Sequence, residues 1–256
     1  MTTPRAKRSS ILSRRAFASG LLASVGGLAC GRAAQPLIFA ASSLGPVLGR
    51  LLERFGRPAS IELAGSQVLR SQIELGARPD LFFSAHPTAL TVLEGAGLIA
   101  ERGQWATTHL VLASRKELAL GRLEAQKLCE PQLRWVLASS DAPLGQYTDA
   151  FLRAYDLEAC MAERIVSRDP SASASLGRLR SGDADIAISF ESLVSEPKTR
   201  EGLVVQTLPS EGREPPRYLW AQLRDAKYPV FAREFIEFLQ RDELADLYAE
   251  FGMRPE

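Results

Sequence analysis

The sequence predicts an α/β protein on three observations. Short apolar runs alternate along the chain with longer runs whose apolar residues recur at helical spacing. Two small-residue turns that carry serines, Phe39-Ala40-Ala41-Ser42-Ser43-Leu44 and Leu63-Ala64-Gly65-Ser66-Gln67, each fall between an apolar run and an amphipathic one. The composition, 46% hydrophobic and 24% charged over 256 residues, suits one large or two modest globular domains. Strands and helices alternating in this way build parallel-type sheets with helical crossovers on both faces, and ligands gather at the carboxyl ends of such strands. The two serine turns occupy that position.

Residues 1–34 read as an export signal and are set aside before the fold is built. Arg5, Lys7, Arg8, Arg14 and Arg15 form a basic stretch, followed by a modestly apolar one from Ala16 to Ala29. Ser13-Arg14-Arg15-Ala16-Phe17 resembles the twin-arginine export motif; the alternative is a general secretory signal whose arginines only supply its basic region. Gly27-Leu28-Ala29-Cys30 makes Cys30 a candidate for lipidation, against cleavage near Ala33 or Ala34 to a soluble periplasmic protein. Either route leads to the periplasm. The stretch is too short and too rich in Gly and Ser for a membrane-spanning helix.

Beyond the signal, strands are expected at Leu37 to Ala40, Ile61 to Leu63, Leu81 to Ser84, Leu110 to Ala113, Leu133 to Ala138, Arg164 to Val166, Ile186 to Ser189, Leu203 to Thr207 and Tyr218 to Leu223. The helix from Pro46 to Phe55 has its proline in the first turn, where a missing N–H costs nothing. The next runs from Val68 to Leu75 and stops at Gly76. Further helices span Ala89 to Gly95, Gly145 to Tyr155 and Ser173 to Ser181, and the chain closes with Pro229 to Gln240 and Asp242 to Phe251.

Charge and residue types argue against several functions. A net charge of +1, with basic residues concentrated in the signal, leaves no surplus for nucleic acid. Only His86 and His109 are present, and no spacing with Cys, Asp or Glu suggests a metal site; His86 is read as facing solvent. A serine hydrolase would need a base beside its nucleophile, and neither serine turn carries one. Cys129 and Cys160 each precede a strand-like run, so in an oxidising compartment they are either a candidate disulfide or two buried thiols.

The run Ala64-Gly65-Ser66, then Arg70-Ser71-Gln72-Ile73-Glu74-Leu75-Gly76-Ala77-Arg78-Pro79-Asp80-Leu81-Phe82-Phe83-Ser84-Ala85, resembles the second signature of the periplasmic molybdate-binding proteins of ABC importers, type II solute-binding proteins. Phe39-Ala40-Ala41-Ser42-Ser43-Leu44 resembles their first. The likeness continues through Pro143-Leu144-Gly145-Gln146-Tyr147, Gly182 to Phe190, and Phe235 to Gly252, and so covers nearly everything after residue 36. It implies two α/β lobes joined by two crossing strands with a ligand cleft between them. On that template one lobe comprises residues 35–107 and 218–256, the other residues 108–217. The Pro-rich stretch from Gly212 to Pro216 is the approach to the second crossing. The implied function is the substrate-binding component of an importer for molybdate or tungstate. Its partners would be a permease and an ATPase, it would need no cofactor, it would act as a monomer, and it would touch the membrane only through a lipid at Cys30. Alternatives are a receptor for sulfate, phosphate or a small carboxylate, a ligand-sensing subunit and, behind these, an exported Ser hydrolase.

The resemblance carries Ser43 and Ser66 over directly as oxyanion ligands, against the reading of each as an ordinary helix cap. In the other lobe Leu144 stands where the family commonly has Ala, Ala172 where Val is usual, and Phe190 replaces a Tyr. Ser171 or Ser173 could supply the donor lost at Phe190. A pocket of hydroxyls, N–H groups and helix ends satisfies a bare dianion, whereas monohydrogen phosphate needs an acceptor for its proton. Asp141 and Asp169, near the second lobe's loops, are the carboxylates that keep phosphate open, unless they are turn or cap residues.

Overall fold

The computed structural model describes residues 35–120, 128–129, 133–210 and 213–256, so the export segment with Arg14, Arg15 and Cys30 lies outside the described residues. The strands are β1 (Leu37–Ala41), β2 (Ser60–Ala64), β3 (Leu81–Ser84), β4 (Ile99–Thr107), β5 (Leu110–Arg115), β6 (Trp135–Ala138), β7 (Ile165–Asp169), β8 (Ile186–Phe190), β9 (Leu203–Thr207), β10 (Arg217–Leu223) and β11 (Arg254–Pro255). The helices are α1 (Gly45–Phe55), α2 (Ser66–Glu74), α3 (Pro87–Gly95), α4 (Pro143–Ala154), α5 (Glu158–Ala162), α6 (Ala172–Ser181), α7 (Glu191–Val194), α8 (Pro197–Arg200), α9 (Pro229–Leu239) and α10 (Ala245–Glu250).

Two sheets result. One has six strands in the order β11-β4-β10-β3-β1-β2, the other five in the order β7-β6-β8-β5-β9. The chain passes from the first sheet to the second between β4 and β5 and returns between β9 and β10. Side-chain alternation explains why the first sheet carries helices on both faces. Along β1 and β3, Ile38, Ala40, Leu81 and Phe83 pack with Val47, Leu48 and Leu51 of α1 and Phe231 and Phe235 of α9. Phe39 and Phe82 point the other way, to Leu69 and Ile73 of α2 and Leu90 and Leu93 of α3. The larger of these two cores runs on into the second sheet, taking in Trp105 and Tyr218 from the first and Val111, Ile188 and Phe190 from the second.

The sheets are mixed. β1 pairs parallel with β2 and β3, and β6 pairs parallel with β7 and β8. β10 is antiparallel to β3 and β4, and β5 is antiparallel to β8 and β9. The antiparallel strands are those on either side of the crossings, which enter each sheet without a helical crossover of their own. β4 was not expected. Its residues from Ala100 to Arg102 are exposed, and pairing with β10 holds this polar segment extended, while β11 pairs only with the far end of the strand at Ala106 and Thr107. The segment expected as one helix from Asp242 to Phe251 is a 3-10 turn, Asp242–Leu244, followed by α10. Cys129 and Cys160 form a disulfide with their Cα atoms 5.7 Å apart. They lie ahead of the parallel pair β6 and β7, whose register begins at Trp135 and Ile165.

Candidate functional site

The carboxyl ends of β1, β2, β3, β6, β7 and β8 converge on one small cavity. Each strand contributes the residues that follow or end it: Ser42 and Ser43 after β1, Gly65 and Ser66 after β2, Ala85 after β3, Pro143 and Leu144 beyond β6, Ser171 and Ala172 beyond β7, and Phe190 closing β8. Of the seven ligand residues expected from the sequence, Ser43, Ser66, Leu144, Ser171, Ala172 and Phe190 line this space. Ser173, one position further into α6, is not among them; the lining stops at Ala172. α2, α4 and α6 start at the cavity wall, and α1 starts one turn behind it. The first N–H groups of such helices have no partner within the helix, and the helix dipole makes that end favourable for negative charge.

Neither serine caps its helix. Ser43 lies inside the 3-10 turn Ser42–Leu44, and Ser66 is the first residue of α2 with Gly65 as the cap; neither end has a side-chain cap bond. Both are only 1% exposed, and both accept a hydrogen bond from buried protein. The Ala85 backbone N–H donates to Ser66 Oγ at 3.2 Å, and the Tyr218 hydroxyl donates to Ser43 Oγ at 3.2 Å. A hydroxyl whose lone pair is occupied in this way keeps its own proton for another acceptor. The local sequence permits the approach. A Cβ on Gly65 would come within 2.6 Å of the Pro170 carbonyl oxygen, so only glycine lets this turn meet the loop between β7 and α6. There Gln67 Nε2 donates to that same Pro170 oxygen at 2.8 Å, tying the end of one sheet to the end of the other.

The opposite wall works differently. Pro143 has no N–H, so Leu144 and Gly145 supply the first donors of α4, and the Leu144 side chain is buried in the core. Ser171 caps α6, its Oγ accepting from the Ala174 N–H at 3.2 Å. The Phe190 ring lies in edge contact with Tyr147 and Tyr218. None of the lining residues is charged. Asp169 is buried but committed to Arg178, with Nε 3.1 Å and Nη2 3.2 Å from its oxygens, and accepts from Ser167 Oγ at 2.7 Å. Asp141 lies instead in an adjoining open groove with Arg70 and His86. His86, expected to face solvent, is half-buried: its Nδ1 accepts from the Thr88 N–H at 3.3 Å as the cap of α3, and its ring meets Tyr147 edge-on. Burial pushes its pKa down from the usual imidazole value.

Four residues that sequence reasoning did not single out belong to this site or brace it: Gln67, Ala85, Ser192 and Tyr218. Ala85 and Gln67 stood inside the quoted motifs, but their roles run through a backbone N–H and a cross-cavity bond, which residue type does not signal. Among the described residues no group of His, Cys, Asp and Glu could hold a metal ion, and no helix is long and apolar enough to cross a membrane.

Comparison with known proteins places the chain in a family. The model for bacterial extracellular solute-binding proteins matches residues 36–254. A relative from Bacillus subtilis (strain 168), provisionally named ABC transporter substrate-binding lipoprotein YvgL, is 26% identical over 194 residues, covering 75% of this chain and 73% of its own. The Azotobacter vinelandii periplasmic molybdate-binding protein superposes with a TM-score of 0.77 at 19% identity, over 86% of this chain and 99% of that one. The sulfate-binding protein SubI of Mycobacterium tuberculosis H37Rv does so with a TM-score of 0.71 at 15% identity, over 86% of each chain. At such identities the two structures establish the fold.

Proposed function

We propose that this chain, which belongs to the bacterial extracellular solute-binding proteins, is the periplasmic receptor of an ABC importer for a fully deprotonated tetrahedral oxyanion, molybdate or tungstate first. The observation that carries the reading is the carboxylate-free, hydroxyl-lined cavity. Hydroxyls, helix N-termini and no carboxylate line it, and the one buried acid nearby, Asp169, is neutralised by Arg178. Such a site satisfies every oxygen of a dianion and leaves the proton of monohydrogen phosphate without an acceptor. The absence of a lining cation points the same way, since the charge is spread over fixed dipoles. The molybdate-binding and sulfate-binding neighbours support the oxyanion class, and the ABC transporter name of the Bacillus relative supports the partners, a permease and an ATPase.

The mechanism follows from the two walls. Residues 35–107 and 218–256 form one lobe and residues 108–217 the other, with residues 1–34 directing export by the twin-arginine route and Cys30 a candidate lipid anchor. The anion first meets Ser43 and Ser66, half solvated. Closure then brings the N–H groups beginning α4 and α6 onto its other half, replacing water with oriented dipoles. The Gln67–Pro170 bond belongs to this closed arrangement. The closed surface is what a permease would recognise.

Calorimetric titration of the exported protein with molybdate, tungstate, sulfate and phosphate tests the reading. Molybdate and tungstate should bind most tightly, phosphate weakly or not at all. Because neither serine caps a helix, Ser43→Ala and Ser66→Ala delete the hydroxyl with little cost to helix starts. A hydroxyl donating to a buried dianion is worth about 1.5–3 kcal/mol, so each variant should bind roughly ten- to a hundred-fold more weakly. Binding by both within two-fold of the parent would overturn the assignment.

A further inference from the structure

We propose that Tyr218 is a positioning residue of the anion site, its hydroxyl orienting the Ser43 hydroxyl so that Ser43 donates into the cavity, with Ser192 behind it as the source of the chain. The inference rests on the oxyanion reading above. Tyr218 lies on β10, the strand that re-enters the first sheet, is wholly buried, and does not itself line the cavity. Its Oη is hydrogen-bonded on one side to Ser192 Oγ, from α7, and on the other to Ser43 Oγ.

A phenol has one proton, so the two bonds must run in one direction. If Ser192 donates to Tyr218 and Tyr218 to Ser43, the Ser43 proton is left for the cavity. If the chain ran the other way, Ser43 would spend its proton on Tyr218 and face the cavity with lone pairs, which a dianion repels. An anion therefore selects the first direction, and the chain delivers one donor to it. Burial raises the phenol pKa far above its ordinary value, so the chain keeps its proton at any physiological pH. The three hydroxyls come from the turn after β1, the returning strand, and the segment after β8 of the other sheet. Hence the Ser43 donor is fully oriented only when the two sheets stand as they do here.

Tyr218→Phe removes the hydroxyl while keeping the ring that packs against Trp105 and Phe190. Sodium molybdate is titrated by calorimetry into the parent, Tyr218→Phe, Ser43→Ala and the double variant, with folding checked by circular dichroism. Tyr218→Phe should bind about ten-fold more weakly, and less than two-fold more weakly once Ser43 is already Ala, because the group it orients is gone. Ser192→Ala should lose roughly three-fold and likewise lose nothing further in the Ser43→Ala background. If Tyr218→Phe does not fold, the Ser192→Ala pair decides by the same comparison. The inference is overturned if the losses are additive, as a merely structural residue would give, or if Tyr218→Phe binds within two-fold of the parent. A parent that binds none of molybdate, tungstate and sulfate is a separate result, which removes the oxyanion reading and this inference with it.

Discussion

The two walls of the cavity solve the same problem with different parts of the chain. On the first sheet's side the donors in the proposed site are the Ser43 and Ser66 side chains, each accepting a buried hydrogen bond from behind. On the second sheet's side the lining side chains include Leu144, Ala172, Phe190 and the capping Ser171, and the donors in the proposed site are the backbone N–H groups that begin α4 and α6 together with the Ser171 hydroxyl. The difference teaches where substitution is felt. Deleting a side chain should abolish a contact on the first wall, whereas on the second wall, the Ser171 hydroxyl apart, only a change that moves or blocks the backbone should do so.

The sharpest way to break the second wall is Gly145→Ala. A Cβ there would lie 1.9 Å from the Ser139 carbonyl oxygen and 2.6 Å from its carbon, both backbone atoms that cannot swing aside. The start of α4 must shift, so stability should fall by about 3 kcal/mol, the upper end for overpacking, and anion affinity should fall with it. Urea denaturation and calorimetry together check this; unchanged stability would mean that α4 starts elsewhere.

A second perturbation loosens the same half without touching the wall. The Cys129–Cys160 bridge closes a loop with a sequence separation of 31. Replacing both cysteines by serine should cost roughly 3 kcal/mol by loop entropy, while affinity for molybdate changes little, because the bridge lies ahead of β6 and β7 and the cavity lies beyond their other ends. Thiol counting on denatured protein from the periplasm should find no free Cys129 or Cys160. Two titratable thiols there would remove the bridge from the folded protein.

The smallest change in binding is expected at Leu144, which makes it the clearest contrast with the serines. Leu144→Ala deletes a buried side chain and should cost about 2–3 kcal/mol of stability, yet the N–H beside it stays in place and affinity should remain within about three-fold. Ser66→Ala should give the opposite pattern, with a larger loss of affinity than of stability. If Leu144→Ala binds ten-fold more weakly, the second wall depends on side chains after all and the comparison of the walls collapses.

Much of this architecture was legible in local pattern. The apolar run at Leu81 to Ser84 coincides with β3, because a buried strand must be apolar wherever it lies, and Leu203 to Thr207 coincides with β9, a partly exposed edge strand whose β-branched residues favour extended backbone. β4 was not legible, since Glu101 and Arg102 are held extended only by a neighbour more than a hundred residues away in the chain. At the site, the small-residue turns marked Ser43 and Ser66 because a tight turn between strand and helix is a local event that a few adjacent residues determine. What a serine does once placed there was decided elsewhere. Whether it caps its own helix or presents its proton to a cavity depends on what occupies its lone pair, and for Ser43 that partner is Tyr218, 175 residues away. The sequence by itself determined the alternating strands and helices and the serine turns, all properties of neighbouring residues. Only the tertiary structure decided which strands run antiparallel, that Asp169 is spent on Arg178, and which partners the Ser43 and Ser66 hydroxyls meet, because those partners come together only when distant segments pack.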